Sequence, residues 1–352
     1  MTTGGVRGFI AGVGLMACAA AMAFESEDVR IRNARDGVML AGTLLTPDGG
    51  NPKAAILLAS GSGGQDRDET VLGHKPFKAI AEALAGEGYA VLRVDDRGVG
   101  ESTGNPSDIT LESNLRDAAA AVEWLDSAYH AAPTGIIGHS EGGLTAVRMA
   151  ANGQADFIVT LAAPAWAGDS IVMSQGKAMA ESMAGHWDGE ALQRKILDVA
   201  KSNLPTPLAR TSIYMDMAST LGDMAKLPQV QEQLMKQVEA VVSPWYRGFL
   251  RYDPAADIRR VGVPWLALNG SKDMQVLPGN LADIKKLNPE ATTRLLDGLN
   301  HLFLPSATGS PAEYASLPGD FSAEAVTVIA NWLDGLELQH GGNMAVEGIP
   351  DE

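Results

Sequence analysis

Cysteine is almost absent: Cys18 is the sole example in 352 residues. It lies in an N-terminal stretch expected to be removed, so the mature chain would carry no thiol. That excludes disulfides, thiolate metal sites and a cysteine nucleophile together. An oxidising compartment is compatible with the count but is not indicated by it. Basic charge is also scarce, with 27 Lys and Arg against 43 Asp and Glu and a formal net charge of −16. Such a surface is a poor match for nucleic acid or an anionic membrane as main partner. No His-Glu-x-x-His or comparable ligand spacing occurs, so no metal site is expected. No internal repeat stands out. What remains is a soluble globular composition, 45% hydrophobic and 20% charged, long enough for one α/β core and an insertion.

Residues 1–23 read differently from the rest. Arg7 is their only charge, apolar residues run from 9 to 21, and Ala21-Met22-Ala23 offers a small-x-small cleavage site before Phe24. The run is shorter than a membrane-spanning helix needs, and the acidic Glu25-Ser26-Glu27-Asp28 follows at once. This predicts a cleaved signal peptide, a periplasmic or secreted protein, and no stable membrane span in the mature form. An uncleaved anchor is the alternative. A lipoprotein signal is another, since Leu15-Met16-Ala17-Cys18 loosely resembles a lipobox, which Met16 fits poorly.

Strand-like runs at 29–34 and 38–46 flank the turn Arg35-Asp36-Gly37. Residues 54–59 are continuously apolar, as in a strand buried on both faces, and end in Ser60-Gly61-Ser62-Gly63-Gly64. Helices near 75–86 and 111–127 then alternate with strands at 89–95 and 134–138. A further helix runs to about 151, followed by a strand at 157–162. This rhythm predicts a mostly parallel mixed sheet flanked by helices. Between 164 and 260 it stops. A helix capped by Asp188 and carrying Leu192, Ile196 and Val199 is expected there, and another with Val230, Leu234, Val238 and Val241. The segment holds seven of the fourteen methionines and three of the six tryptophans. It reads as a helical cap inserted between the sixth and seventh strands. The rhythm resumes at 263–269, 280–287, 292–296 and 322–333. The expected organisation is therefore a signal peptide at 1–23, core at 24–163, cap at 164–260, core at 261–336 and a flexible tail at 337–352.

Gly138-His139-Ser140-Glu141-Gly142 follows an apolar strand and opens a helix. A sharp strand-to-helix turn there lifts a serine hydroxyl clear of the sheet, and its small neighbours avoid backbone collisions. Ser140 is thus the expected nucleophile. A serine hydroxyl needs a base and an orienting acid, and in this arrangement the chain order is Ser, acid, His. Of the downstream histidines, His340 lies in the polar tail and His186 precedes the acid candidates. His301, in the loop after 292–296, is the expected base. Asp273, beyond the turn at Gly270, is the expected acid; Asp283 falls within a helix and Asp297 lies too near His301. The oxyanion donors expected are the Glu141 amide and the Ser62 amide, with Gly61 or Gly63 next in line for the second. The glycine run lacks a Walker lysine, which excludes a phosphate loop.

These segments resemble bacterial α/β-hydrolases of the EstD-like carboxylesterase branch over roughly residues 29–333. The matching stretches are Ser60-Gly61-Ser62-Gly63-Gly64-Gln65-Asp66-Arg67-Asp68, Gly73-His74-Lys75-Pro76-Phe77, Asp95-Asp96-Arg97-Gly98-Val99-Gly100, the serine motif, Gly270-Ser271-Lys272-Asp273 and Asn300-His301. Gly64 departs from the pattern, which has proline there. The resemblance implies the α/β-hydrolase fold, hydrolysis of a small carboxylic ester with an apolar acyl part, and no metal or organic cofactor. It also makes Ser140, Asp273 and His301 the matching triad positions. Peptidase, amidase or thioesterase chemistry on the same triad is the near alternative, and a non-catalytic periplasmic small-molecule binder the distant one. His74 and Arg97 are expected to brace loops, and His139 to pack at the turn. Met173, Met179, Met183, Met215, Met217, Trp166, Trp187, Trp245 and Tyr246 either line an apolar pocket or hold the cap together.

Overall fold

The computed structural model describes residues 24–336. The expected signal segment with Cys18, and the tail with His340, lie outside the described residues. Eight strands form one sheet: β1 Phe24–Asn33, β2 Val38–Pro47, β3 Ala55–Ala59, β4 Ala90–Val94, β5 Thr134–His139, β6 Phe157–Leu161, β7 Trp265–Gly270 and β8 Thr292–Leu296. Their order is β1-β2-β4-β3-β5-β6-β7-β8. β2 pairs antiparallel with both β1 and β4, and every pairing from β4 to β8 is parallel.

The alternation of the pleat divides the core in two. Ala55, Leu57 and Ile136 face one side with α2 (Leu111–Ala128), α3 (Glu141–Ala151), α9 (Ala255–Arg260) and α10 (Gly279–Leu287). Ile56, Leu58 and Ile137 face the other with α1 (Pro76–Gly86) and α11 (Ala323–Asp334). Strands covered on both faces have no polar side to show, which is why β3, β5 and β6 read as unbroken apolar runs. The helices start where local chemistry lets them. Pro76 stands in the first turn of α1, and Thr110 and Ser113 form a reciprocal capping box at α2.

β1 begins five residues earlier than its apolar pattern indicates. Glu25–Asp28 are exposed yet pair in register with β2, from Phe24 opposite Pro47 onward. A solvated edge strand needs no apolar alternation at its end, and its charges discourage further pairing.

Between β6 and β7 lie α4 (Gly168–Ala184), α5 (Glu190–Lys201), α6 (Thr206–Leu221), α7 (Pro228–Val241), α8 (Pro244–Arg251) and α9. The two helices expected in this stretch correspond to α5 and α7. Asp188 does not cap α5: the cap position is Gly189, and the Asp188 carboxylate instead sits 3.1 Å from Nε2 of His186. The nearby imidazole competes for that carboxylate, and the helix starts one residue later. The helices α5 to α8 share a small core of Leu197, Ala200, Ala209, Ile213, Val238, Val242 and Leu250. A second cluster of Leu111, Leu144, Ile171 and Phe249 joins them to α2 and α3. Within the insertion α4 and α8 approach closely, since a Cβ on Gly168 would lie 2.0 Å from the Phe249 carbonyl oxygen. Among the described residues no helix is long and apolar enough to cross a membrane.

Candidate active site

Ser140 occupies the bend between β5 and α3 with φ 52° and ψ −116°. That is a strained conformation for any residue with a Cβ, and it persists only where the surroundings hold it. Here the Ser140 amide donates to the Leu161 carbonyl at 2.8 Å, and the Ser140 carbonyl accepts from Gly143 at 3.0 Å. The glycines of the motif have a steric cause. A Cβ on Gly142 would lie 2.0 Å from the Ala59 carbonyl oxygen, and one on Gly138 would lie 2.1 Å from that of Gly142.

The expected acid and base meet. Nδ1 of His301 lies 2.8 Å from Oδ2 of Asp273, and both side chains are buried. The second Asp273 oxygen accepts the amides of Gln275 and Val276 at 2.8 and 2.9 Å. These bonds aim the carboxylate, and its oxygen facing Nδ1 favours the His301 tautomer with the proton on Nδ1 and a free lone pair on Nε2. The loop bearing His301 is shaped by Asn300, whose Oδ1 accepts the amides of Leu302 and Leu304. Gly270 is required for its approach to β7, since a Cβ there would sit 2.1 Å from the Leu299 carbonyl oxygen. The rejected acids are otherwise engaged: Asp283 accepts from the Trp166 indole at 2.6 Å, and Asp297 from the Ser271 hydroxyl at 2.8 Å. His186 lies exposed in the cap segment beside Asp188.

Of the candidate oxyanion amides, Gly61 is removed. Its N–H donates to Oε1 of the buried Glu69 at 2.6 Å and is spent. Ser62 is exposed at the loop tip. Glu141 is also held through its side chain. Its carboxylate accepts from Nε1 of Trp245 at 2.8 Å and from Nδ2 of Asn114 at 3.2 Å. Burial pushes its carboxyl above the usual range, against the pull of the bonds from Trp245 and Asn114. Trp245 in turn stacks on Phe249, with ring centroids 5.9 Å apart.

Three other polar residues support the same end of the sheet. Burial pushes Asp96 up to about 7, although its carboxyl accepts from the Gln65 amide and the Ser60 hydroxyl. His74 braces a loop, its ring nitrogens 2.6 Å from the main-chain oxygens of Gly319 and Tyr314. Arg97 does likewise through ion pairs with Asp36 and Asp117, both at 2.7 Å. His139 is buried at the turn and faces away from the base's role, toward Glu69 and the His301 carbonyl.

Sequence reasoning missed Glu69, Asn114 and Asp96. Glu69 lies one residue beyond the matching stretch 60–68, so its neighbourhood was visible and its partners were not. The cap's methionines divide. Met183 and Met215 are 85% and 63% exposed and line nothing, whereas Met173, Met217 and Tyr246 pack on the cap core. Trp166, Met173 and Trp187 border a cleft of about 370 Å³ between α4 and α5. Among the described residues no group of three or more His, Cys, Asp or Glu side chains is arranged to hold a metal ion.

A sequence profile of the X-Pro dipeptidyl-peptidase (S15) family matches residues 36–304, from the turn after β1 through the His301 loop. The chain belongs to that family. The resemblance to the EstD-like branch also holds. Esterase EstD of Thermotoga maritima is 26% identical over 315 residues, covering 88% of this chain and 68% of the relative. Solved structures share the α/β-hydrolase fold. An esterase of Pyrococcus furiosus superposes with a TM-score of 0.53 at 18% identity, over 89% of this chain and 93% of that one. A proline iminopeptidase of Mycobacterium smegmatis gives 0.53 at 17%, over 88% and 98%.

Proposed function

We propose that this protein is a serine hydrolase that cleaves carboxylic esters through an acyl-enzyme on Ser140. One observation carries the proposal: the His301–Asp273 pair stands, buried and correctly polarised, beside the sheet end where the strained turn presents Ser140. In this reading the Ser140 oxygen attacks the ester carbonyl while Nε2 of His301 takes its proton. Asp273 holds the ring in the productive tautomer and stabilises the imidazolium. The amides of Glu141 and Ser62 receive the oxyanion. Collapse expels the alcohol, which recovers the proton from His301, and water then deacylates the enzyme through the same base.

The family name favours a second reading, a peptidase on the same triad. A peptidase trimming chain ends would use a charged group to grip the terminus. Three carboxylates of the cap are already paired, Asp169 with Lys201, Glu181 with Lys177 and Glu190 with Arg194. The buried Glu141 carboxylate is occupied by Trp245 and Asn114. This supports the ester, as does the name of the Thermotoga relative. The signal-like pattern at 1–23 supports action outside the cytoplasm, and a non-catalytic binder is a poor account of an intact acid–base pair.

The test is a panel of nitrophenyl esters of increasing acyl length, run beside aminoacyl anilides and acyl thioesters, on wild type and Ser140→Ala. Ester turnover that disappears in Ser140→Ala, with unfolding unchanged, is the expected result. Near-wild-type turnover in that variant sinks the nucleophile assignment, and faster anilide than ester cleavage moves the protein to the peptidase reading.

A further inference from the structure

We propose that Glu69 and His139 form a buried brace that sets the oxyanion loop and the base loop against the Ser140 turn, making Glu69 a positioning residue for acyl transfer. The inference rests on the Ser140–His301–Asp273 reading.

Three segments that the reaction must align are tied through this one pair. Oε1 of Glu69 accepts the Gly61 amide at 2.6 Å, which orients the peptide leading into Ser62. The same oxygen lies 2.9 Å from Nδ1 of His139, the residue before the nucleophile. Nε2 of His139 donates to the main-chain carbonyl of His301 at 2.9 Å, which places the base's own backbone. The His139 and His301 rings stand 4.8 Å apart between centroids. The space around this oxygen is tight at 61. A Cβ on Gly61 would lie 3.0 Å from Oε1 of Glu69 and 3.4 Å from Cβ of Ser140.

The chemistry of the pair explains why it is rigid. A carbonyl oxygen only accepts, so Nε2 of His139 must carry a proton. With Glu69 ionised, Nδ1 carries one too, and the ring is an imidazolium. Burial opposes that charge, but the Glu69 carboxylate beside it and the bonds to Glu69 and His301 raise the affinity of His139 for its second proton above the usual histidine range. The other Glu69 oxygen is buried and has no hydrogen-bond partner among the described residues. The contacts of this buried carboxylate run through its other oxygen, to Gly61 and His139, and removing either partner is costly. Glu69 also sits at φ 51°, a conformation that an unconstrained loop glutamate avoids.

The experiment compares wild type, Glu69→Gln and Glu69→Ala in full-length protein. Three measurements are made: the rate of fluorophosphonate labelling at Ser140, kcat and KM for nitrophenyl acetate, and thermal unfolding. Glu69→Ala is expected to label and turn over about a hundredfold more slowly, with KM within about twofold, because misplaced groups cost rate rather than ground-state binding. Glu69→Gln keeps an oxygen for Gly61 and is expected to fall between, about tenfold below wild type. It also serves should the alanine variant not fold. Folded variants that label and turn over at the wild-type rate overturn the brace, as does a loss confined to unfolding temperature. If wild type itself neither labels nor hydrolyses, the Ser140 reading fails and the proposal goes with it. Wild-type labelling with an unaffected Glu69→Gln removes the brace alone.

Discussion

Trp245, on α8, donates its indole N–H to the Glu141 carboxylate at 2.8 Å. The residue whose amide is assigned to the oxyanion is therefore fastened, by its side chain, to the cap. One hydrogen bond thus ties the cap helix α8 to the nucleophile turn.

Trp245→Phe keeps a ring to stack on Phe249 and deletes only that donor. Leaving a buried carboxylate oxygen less satisfied is expected to cost about 1–3 kcal/mol of stability. If the link also aims the Glu141 amide, kcat on a nitrophenyl ester falls by about threefold to tenfold. Thermal unfolding and steady-state kinetics on the same preparation decide the point. A lower melting temperature with unchanged kcat reduces the bond to holding the cap in place.

Asp273→Asn should preserve the fold and remove the partner that fixes the His301 tautomer. The expected loss in kcat is about 10⁴-fold, the effect known for this substitution in a Ser-His-Asp site. Asp283→Asn, which touches only the Trp166 bond, is the control and should stay within about threefold of wild type. Similar losses in both variants would contradict the choice of Asp273.

Asp96 supplies a pH dependence of stability. Its carboxyl is raised from the ordinary value of 3.8 to about 7 in the folded state, by burial above all. The folded protein thus holds this proton more tightly than the unfolded chain. The contribution is fully present below pH ~4 and is lost as pH rises toward 7. Asp96→Asn retains hydrogen-bonding groups for Ser60 and Gln65 and cannot ionise. Its chemical denaturation midpoint is expected to exceed that of wild type at pH 8 and to vary less between pH 4 and 7. A parallel pH profile for the two proteins refutes it.

Gly142→Ala tests the sterics of the turn. Its Cβ would meet the Ala59 carbonyl oxygen at 2.0 Å, so β3 or the turn must shift. Overpacking of this kind costs about 1–3 kcal/mol or more, and activity should fall with it. Gly86→Ala, at the end of α1 with open space around it, is expected to be neutral or to stabilise by about 0.4–1 kcal/mol. Denaturant midpoints separate the two, and equal effects would show that crowding is not the reason for glycine at 142.

Much of the site was legible because its requirements are local. The apolar run before Ser140, the small residues around it and the helix after it are all consequences of one short stretch of backbone. The loops bearing Asp273 and His301 were found from the strands they follow. The cap was harder. In α6, Ile213 is buried while Leu208 and Met215 are exposed, so no clean stripe marks that helix. Asp188 had the residue type of a helix cap, but a histidine two positions away claims its carboxylate.

By itself the sequence determined the alternation of strand and helix, the place of the serine turn and the order of serine, acid and base. A strand buried on both faces, or a turn without room for a Cβ, writes its constraint into adjacent residues. Tertiary structure alone decided which polar groups satisfy one another. Glu69 and His139 are 70 positions apart and Glu141 and Trp245 are 104 apart, and the Gly61 amide was lost to the oxyanion only through Glu69. The choice of partner for a buried charge depends on where the chain returns, and no window of neighbouring residues contains that information.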